Sequence, residues 1–428
     1  MLNLVTLILQ MAVVLGLCRL VGDVFVKIRQ PRVNGEMFAG ILLGPSLLGW
    51  VAPQFSRYLF PPASFDFLNA LGQLGVVLFM FLAGLAIDPA KLKSQAKATV
   101  SVTFASIGAP MLLAFALAAY LHPRFSSPDV NFVNFALLLG AAMTITAFPM
   151  LAKLLLERNM LSSPLGAVAV GSACVAGVFT WCVLAYVVAR IKNPANKLGL
   201  YLTFVGILLF TAAMFCVVKP LLKRFGDIYS ESGVLNEKAM AIMMVIVVAA
   251  SVCSGYLGLH PLFGAFLVGA VMPKTNRFGA YVTGRLEVIT TAVLLPLYLA
   301  FSGLRTNLLT LRGAQMWLIT GLIILVAILG KVAASALAGW ASGMKLREAA
   351  GLGSLLNMRG LICLIVLNIG LDLKVINSTI FSMMVVMALV NTFLTLPMFD
   401  WFCPRQVQKA VEMVPATPLD YPIYVPAE

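Results

Sequence analysis

Long apolar runs, separated by short stretches that hold most of the charged residues, constrain this chain more than any other feature. A bilayer hydrocarbon core is about 30 Å thick, and an α-helix crosses it with about 20 apolar residues. Of the 428 residues, 61% are hydrophobic and only 11% are charged, a composition that excludes a soluble domain of this size. The sequence therefore predicts an all-α integral membrane protein.

The apolar runs divide the chain into thirteen predicted spans, or twelve if the short ninth run is continued by its neighbour. They cover approximately residues 2–21, 35–52, 67–87, 99–121, 132–155, 165–190, 198–218, 239–258, 261–273, 286–304, 314–341, 349–370 and 377–398. Residues 1–403 are thus predicted to form one transmembrane domain. A short Pro-rich tail follows at 404–428.

The formal net charge of +14 indicates membrane topology rather than a nucleic-acid surface, because the basic residues fall between the apolar runs. When residues at span edges are counted with the adjoining loop, the odd-numbered loops and the tail hold 19 of the 30 basic residues, and the even-numbered loops hold 8. Lys and Arg are retained on the cytoplasmic side. We expect the N-terminus outside and the C-terminus in the cytoplasm, with a bacterial cytoplasmic membrane as the location.

Two pairs of runs, each seven spans apart, indicate an inverted-topology repeat. "GEMFAGILLGPSLLGW" in span two is echoed by "HPLFGAFLVGAVMP" in span nine, and an odd offset inverts one copy in the membrane. Spans five and twelve are both interrupted by polar residues, at Thr144 and Thr146 in the first and at Asn357 and Arg359 in the second. Polar breaks at membrane depth line a cavity or are buried in protein. They predict two discontinuous helices around a substrate site.

Neither an enzyme nor a cofactor is predicted. The only histidines are His122, near a loop, and His260, at a span junction, and no nucleophile motif or phosphate-binding loop is present. The seven cysteines lie mostly within apolar runs and lack the spacing of a metal site. The expected partners are membrane lipid and a small ion or small-molecule substrate.

Six motifs, in order along residues 30–400, carry a resemblance to a known family. They are "PRVNGEMFAGILLGPSLLG" (31–49), "FMFLAGLAIDP" (79–89), "AMTITAFPMLAKLLLERNML" (142–161), "HPLFGAFLVGAVMP" (260–273), "LYLAFSGLRTN" (297–307) and "NMRGLICLIVLNIGLDLKVI" (357–376). Together they resemble the monovalent cation:proton antiporter-2 family. The resemblance implies a sodium/proton antiporter fold of thirteen helices, a homodimer with a dimerisation part and a mobile core part, and exchange of Na⁺ or K⁺ for protons.

The chain departs from the family pattern at the ion-carrying position. The family has a pair of residues in span six whose second member is an Asp that alternately binds the cation and the proton, and this sequence has Ala176 and Gly177 there. Two further positions that are usually acidic in the family are Asn307 and Cys363. The ion-carrying carboxylate is therefore predicted to be replaced.

The positions of all sixteen carboxylates support this prediction without the family. None lies at the centre of a span; Glu36, Asp88 and Glu287 come near a span end, where an interfacial or helix-capping role is expected. Lys331, by contrast, lies near the middle of span eleven, and Arg359 lies at the break of span twelve. A charge at a helix centre costs about 2.5–3.5 kcal/mol, so each should have a partner or a purpose.

Arg359 is expected to cap carbonyls of the broken helix, whereas Lys331 has three possible fates. In the resembling family, the lysine at this position pairs with the missing Asp. Lys331 can lose its proton and carry protons through the transport cycle, find another acceptor, or bind an anion together with helix N-termini. These fates correspond to cation:proton exchange, a transport-inactive sensor or interaction protein, and a carrier of an anionic or organic substrate. The candidate site residues are Thr144, Thr146, Ala176, Gly177, Lys331, Asn357, Arg359 and Cys363.

Overall fold

A computed structural model describes most of the chain, and the described part is helical. It comprises residues 4–61, 64–85, 96–126, 128–158, 160, 163–192, 205–206, 208–232, 235–257, 261–273 and 278–403. The helices up to residue 232 are α1 (Leu4–Lys27), α2 (Arg32–Leu43), α3 (Leu48–Val51), α4 (Pro53–Leu59), α5 (Phe65–Leu85), α6 (Ala96–Phe125), α7 (Phe132–Thr144), α8 (Phe148–Glu157), α9 (Pro164–Lys192) and α10 (Lys219–Ser232).

The remaining helices include two that pass through a π-helical turn. They are α11 (Glu237–Tyr256), α12 (Pro261–Val271), α13 (Phe278–Ile289, continued through the π-turn Thr290–Leu294 into Leu295–Leu304), α14 (Ala314–Ala341, with the π-turn Leu329–Ala333), α15 (Leu346–Leu356), α16 (Leu361–Asp372) and α17 (Ser378–Phe402). Within the described ranges there is no β-strand, so the predicted all-α class is confirmed.

Eight of the described helices are long and apolar enough to cross a membrane. Helices α15 and α16, bent by 44° at their break, form a ninth candidate, and α7 and α12 are shorter apolar helices. The thirteen-span count stays a prediction, because much of span seven and the tail at 404–428 lie outside the described residues.

Three predicted spans differ from the helices observed. The prediction of one helix over 35–52 is wrong: α2 ends at Leu43, because Gly44 is extended and precedes Pro45, which disfavours a helical conformation before it. At the predicted end of span seven the helical backbone continues, since a π-turn at Met214–Val218 leads into the polar helix α10, and the end of the apolar span at 218 stays a prediction. Span ten begins at Phe278 rather than 286, because charged side chains on the exposed face of α13 do not interrupt its backbone.

The chain forms two compact units. The first consists of the described parts of 1–69, 91–187 and 299–418, and it contains both interrupted helices. In this unit α2 contacts α13 backbone to backbone: a Cβ at Gly303 would lie 2.6 Å from Ile41 N and from Met37 O. The glycines of the α2 motif and of α13 are therefore packing positions.

The second unit consists of the described parts of 70–90 and 188–298. Its short helix α12 packs closely against α5 and α11. A Cβ at Gly269 would lie 2.8 Å from Leu85 N, and one at Gly264 would lie 2.8 Å from Ser251 N. The spacing of glycines in the span-nine motif thus permits close helix contact.

Candidate functional site

The first interruption separates α7 from α8. The side chain of Asn131 caps the start of α7 by accepting from Val133 N at 2.9 Å, and Ile145, at the end of the helix, is extended. Thr144, Ile145 and Thr146 are three β-branched residues in succession, which weakens helix propensity here. Pro149 stands in the first turn of α8, where its missing N–H is not needed.

The second interruption, between α15 and α16, lies directly against the first. Thr146 Oγ1 donates to Leu356 O at 2.7 Å, and Ala147 N donates to Met358 O at 2.9 Å. Gly360 permits this approach, because a Cβ there would lie 2.8 Å from Ala147 Cβ and from Met150 Sδ. The backbone groups released by one break therefore bind those released by the other.

Arg359 is fully buried and joins the two breaks. Its Nη1 donates to Ala142 O at 3.2 Å and to Ile145 O at 2.7 Å. These carbonyls are at the C-terminal end of α7, where helical partners run out. The prediction that Arg359 caps its own broken helix is corrected: the side chain reaches from the break before α16 to the end of α7.

Lys331 is also fully buried, in the π-turn of α14. Its Nζ donates to Ser106 O at 3.1 Å and to Thr144 O. Both acceptors are carbonyls that their own helices leave free. Thr144 is the last residue of α7, and Ser106 is four residues before Pro110, which has no N–H to close the helical bond.

No carboxylate of the described residues forms an ion pair with Lys331; the described ion pairs all involve arginines. Two further oxygens lie on the same helices. Ser335 follows Lys331 by four residues on α14, and Thr103 precedes Ser106 by three on α6. Both hydroxyls are buried, and neither has a hydrogen-bond partner within the described part of the chain. The oxygens that bind Lys331 among the described residues are thus neutral backbone carbonyls.

Ala176 and Gly177, the residues predicted to stand at the ion-carrying position, lie on α9. Ala176 is fully buried, and Thr180 Oγ1 donates to its carbonyl at 2.9 Å. A Cβ at Gly177 would have no neighbour within 4 Å among the described residues. None of the hydrogen bonds found between described residues joins Ala176 or Gly177 to Lys331.

Asn357 and Cys363 flank Arg359. Asn357 Nδ2 donates to Asn391 O at 3.4 Å, while the side-chain oxygens of both asparagines lack a partner among the described residues. Cys363 Sγ lies 3.5 Å from Ala142 O. Asn307, the other position predicted to have lost an acid, caps a short turn by accepting from Leu309 N at 3.0 Å, so it serves the backbone locally.

The structure therefore groups most of the predicted site around the end of α7. Hydrogen bonds join Thr144 to Lys331, Thr146 to the chain before Arg359, and Arg359 to α7. Sequence reasoning missed Ser106. A proline four residues after a serine in an apolar helix is the signal that could have found it, because such a proline frees the serine carbonyl.

Two positive side chains thus occupy the negative end of α7. The macrodipole of a helix places partial negative charge at its C-terminal carbonyls, which stabilises cations there. In discontinuous membrane helices, free carbonyls and C-terminal half-helix ends are the groups that coordinate Na⁺ or H⁺. The arrangement can hold a small monovalent cation wherever a side-chain cation gives up the same oxygens.

Comparison with known sequences gives consistent matches over nearly the whole chain. The profile described as "Sodium/hydrogen exchanger, transmembrane" matches residues 12–402. The Na(+)/H(+) antiporter NhaS4 of Synechocystis sp. is 34% identical over 397 residues, covering 92% of this chain and 97% of the relative. Cation/H(+) antiporter 17 of Arabidopsis thaliana is 38% identical over 395 residues.

Some relatives are longer than this chain. The Arabidopsis protein is matched over 48% of its length, as is K(+)/H(+) antiporter 1 of Saccharomyces cerevisiae, which is 29% identical over 420 residues. Among solved structures, the sodium proton antiporter MjNhaP1 from Methanocaldococcus jannaschii gives a TM-score of 0.60 at 14% identity, covering 96% of this chain and 100% of that chain. At this identity the match establishes the fold.

Proposed function

Because the chain belongs to the sodium/hydrogen exchanger family, we propose that it is a secondary transporter that exchanges a monovalent cation for a proton, with Lys331 in place of a carboxylate as the proton carrier. One observation carries the proposal. The two acceptors of the Lys331 ammonium are backbone carbonyls that no helix uses, Ser106 O and Thr144 O. Such oxygens are ligands for an alkali cation as well as for an ammonium group.

Exchange follows from competition for these oxygens. When Lys331 releases its proton, the neutral amine no longer needs both carbonyls, and Na⁺ or K⁺ can take them. When the cation leaves, the amine takes up a proton and returns. The site then carries the same charge in both states, so one proton moves against one cation.

The surroundings of Lys331 favour a cation over an anionic substrate. The amine and Arg359 point at carbonyl oxygens, which repel an anion. The hydroxyls of Thr103 and Ser335, unpartnered in the described part of the chain, add oxygens and not further charge. An anionic or organic substrate bound by Lys331, and a transport-inactive sensor or interaction protein, are the alternatives that the transport assay separates.

We further propose a homodimer in a bacterial cytoplasmic membrane, with the N-terminus outside. The basic-residue asymmetry sets this orientation, and two ion pairs at opposite ends of α17 agree with the sides that it gives to their loops. Arg305 and Asp372 pair at 2.6 Å near its beginning, and Arg158 pairs with Asp400 at 2.8 Å near its end. Helix α17 is about 37 Å long at 1.5 Å per residue. The topology from basic residues likewise assigns the loops of these two pairs to opposite sides.

Reconstituted protein is expected to move protons when a cation gradient is applied. The purified chain is placed in liposomes that contain a pH-sensitive dye, and Na⁺, K⁺ or Li⁺ is added outside. Release of protons from the liposomes into the outside medium on cation entry, with no dependence on membrane potential, is the expected result, because the cycle is electroneutral. Absence of proton movement with all three cations contradicts the proposal and leaves the two alternatives.

Pro110→Ala is expected to weaken cation binding without abolishing exchange. The introduced alanine supplies an N–H that closes the helical bond to Ser106 O, so the cation loses part of one ligand. A loss of about 1 kcal/mol raises the apparent KM for the cation about fivefold at unchanged maximal rate. Pro123→Ala, which changes the other proline within α6, is the matched control and should retain the wild-type KM. Equal KM values for both variants would remove Ser106 O from the site.

A further inference from the structure

Glu36 is the one buried acid of the described residues. Its exposed fraction is 5%, in the first half of α2, which packs against α1. The expectation that it is an interfacial or capping acid is corrected by this burial. No hydrogen bond or ion pair joins its carboxyl group to another described side chain, whereas Arg32, one turn earlier on α2, pairs with Asp23 of α1 at 2.7 Å.

The charges that act on Glu36 come from α1 and α2. Arg32 and Arg19 are the cations whose charges reach it, and both are already engaged by Asp23, at 2.7 Å and 3.6 Å. Cys18 of α1 lies beside it, with Sγ 3.5 Å from Glu36 O.

The other helices near α2 bring no free charge to Glu36. The Leu295–Leu304 segment of α13, which contacts α2, has no charged residue. The single charged residue of α17 is Asp400, which is bound to Arg158.

One of the two terminal nitrogens of the Arg32 guanidinium group is available for a second carboxylate. Its Nη2 holds Asp23, while its Nη1 is buried and has no hydrogen-bond partner in the described part of the chain. The arginine lies against Gly22 of α1, where a Cβ would come within 2.9 Å of Arg32 Cγ. Glu36 follows Arg32 by four residues, the spacing at which side chains on one helix face can meet. Arg32 is therefore placed between two carboxyl groups, that of Asp23 on α1 and that of Glu36 on its own helix face.

We propose that Glu36 is a proton-binding residue, separate from Lys331, that switches Arg32 between two partners. With its proton bound, neutral Glu36 leaves Arg32 on Asp23, and α1 and α2 are tied together at this end. When Glu36 releases the proton to solvent, its carboxylate takes Arg32 and the tie to α1 is loosened. Burial without an ion pair favours the protonated form. This switch does not depend on the transport mechanism proposed above.

Infrared titration of the full chain in detergent tests the proton on Glu36. At neutral pH the C=O stretch of a protonated carboxyl group is expected in wild-type protein and in E237Q, a matched variant at an exposed glutamate at the start of α11. The band should be missing in E36Q. A band of wild-type intensity in E36Q, or no band in wild-type protein, overturns the proposal.

Two more variants test the switch itself. In R32Q the band should persist to higher pH than in wild type, because the competing cation is gone. In D23N it should be lost at lower pH, since Arg32 is free to pair with Glu36, and this shift should vanish in the double variant R32Q/D23N. If R32Q titrates like wild type, or if the D23N shift survives in the double variant, Arg32 is not the switching group.

Discussion

When Na⁺, K⁺ or Li⁺ is added to liposomes that contain the K331M variant, we expect no more proton movement than in protein-free liposomes. The amine is the only group at the oxygens of Ser106 and Thr144 that exchanges a proton among the described residues, and methionine fills its volume without one. The dye assay described for wild-type protein measures the loss. Two effects on its stability oppose each other: removal of the buried charge removes a desolvation cost, whereas Ser106 O and Thr144 O lose their donor. We therefore expect a smaller loss of stability in K331M than in a variant that also separates the two helix breaks.

K331R is the control that separates charge from proton exchange. Arginine keeps a positive charge and its donors, but it is not deprotonated in proteins. We expect K331R to be as inactive as K331M. Cation-dependent proton movement in either variant would show that another group carries the proton.

R359M is expected to lower the free energy of unfolding by about 3–6 kcal/mol, since a hydrogen bond from a charged donor contributes about 1.5–3 kcal/mol and two are lost. Arg359 binds Ala142 O and Ile145 O, and without it the carbonyls at the end of α7 stay buried and unpaired. Denaturant unfolding of detergent-solubilised protein, followed by tryptophan fluorescence, measures the change.

The comparison with K331M makes this prediction specific. Both variants remove a fully buried cation from the same helix end, but only Arg359 also joins the two helix breaks. R359K should recover part of the stability, because lysine can satisfy one of the carbonyls. Equal stability of R359M and K331M would contradict the structural role assigned to Arg359.

The helical membrane fold and the interrupted helices could be predicted from the sequence because they depend on local patterns. Apolar length predicts spans, and polar or β-branched residues at Thr144, Thr146 and Asn357 predict breaks. The charges of Lys331 and Arg359 within predicted spans marked both residues as candidates. The end of α2 was missed because Gly44 before Pro45 ends the helix inside a continuous apolar run. The beginning of α13 was missed because its first turns carry charged residues, although the helix is continuous through them.

The partners of the buried cations could not be predicted in the same way. The acceptors of Lys331 are separated from it by 225 and 187 residues. They are backbone atoms, so the residue types at these positions do not indicate that they bind Lys331. Only Pro110 marks Ser106 O, and only the end of α7 marks Thr144 O. Similarly, the burial of Glu36 depends on how α1 packs against α2, and predicted span boundaries give no information on helix packing.

Proton release on cation binding tests the central claim most directly, because it needs neither a gradient nor turnover. Weakly buffered, detergent-solubilised protein with a pH dye is titrated with Na⁺ or K⁺, and bound cation is counted in parallel. Competition at Ser106 O and Thr144 O predicts one proton released for each cation bound in wild-type protein and none in K331M. Cation binding to wild-type protein without proton release, or equal release from K331M, would contradict it.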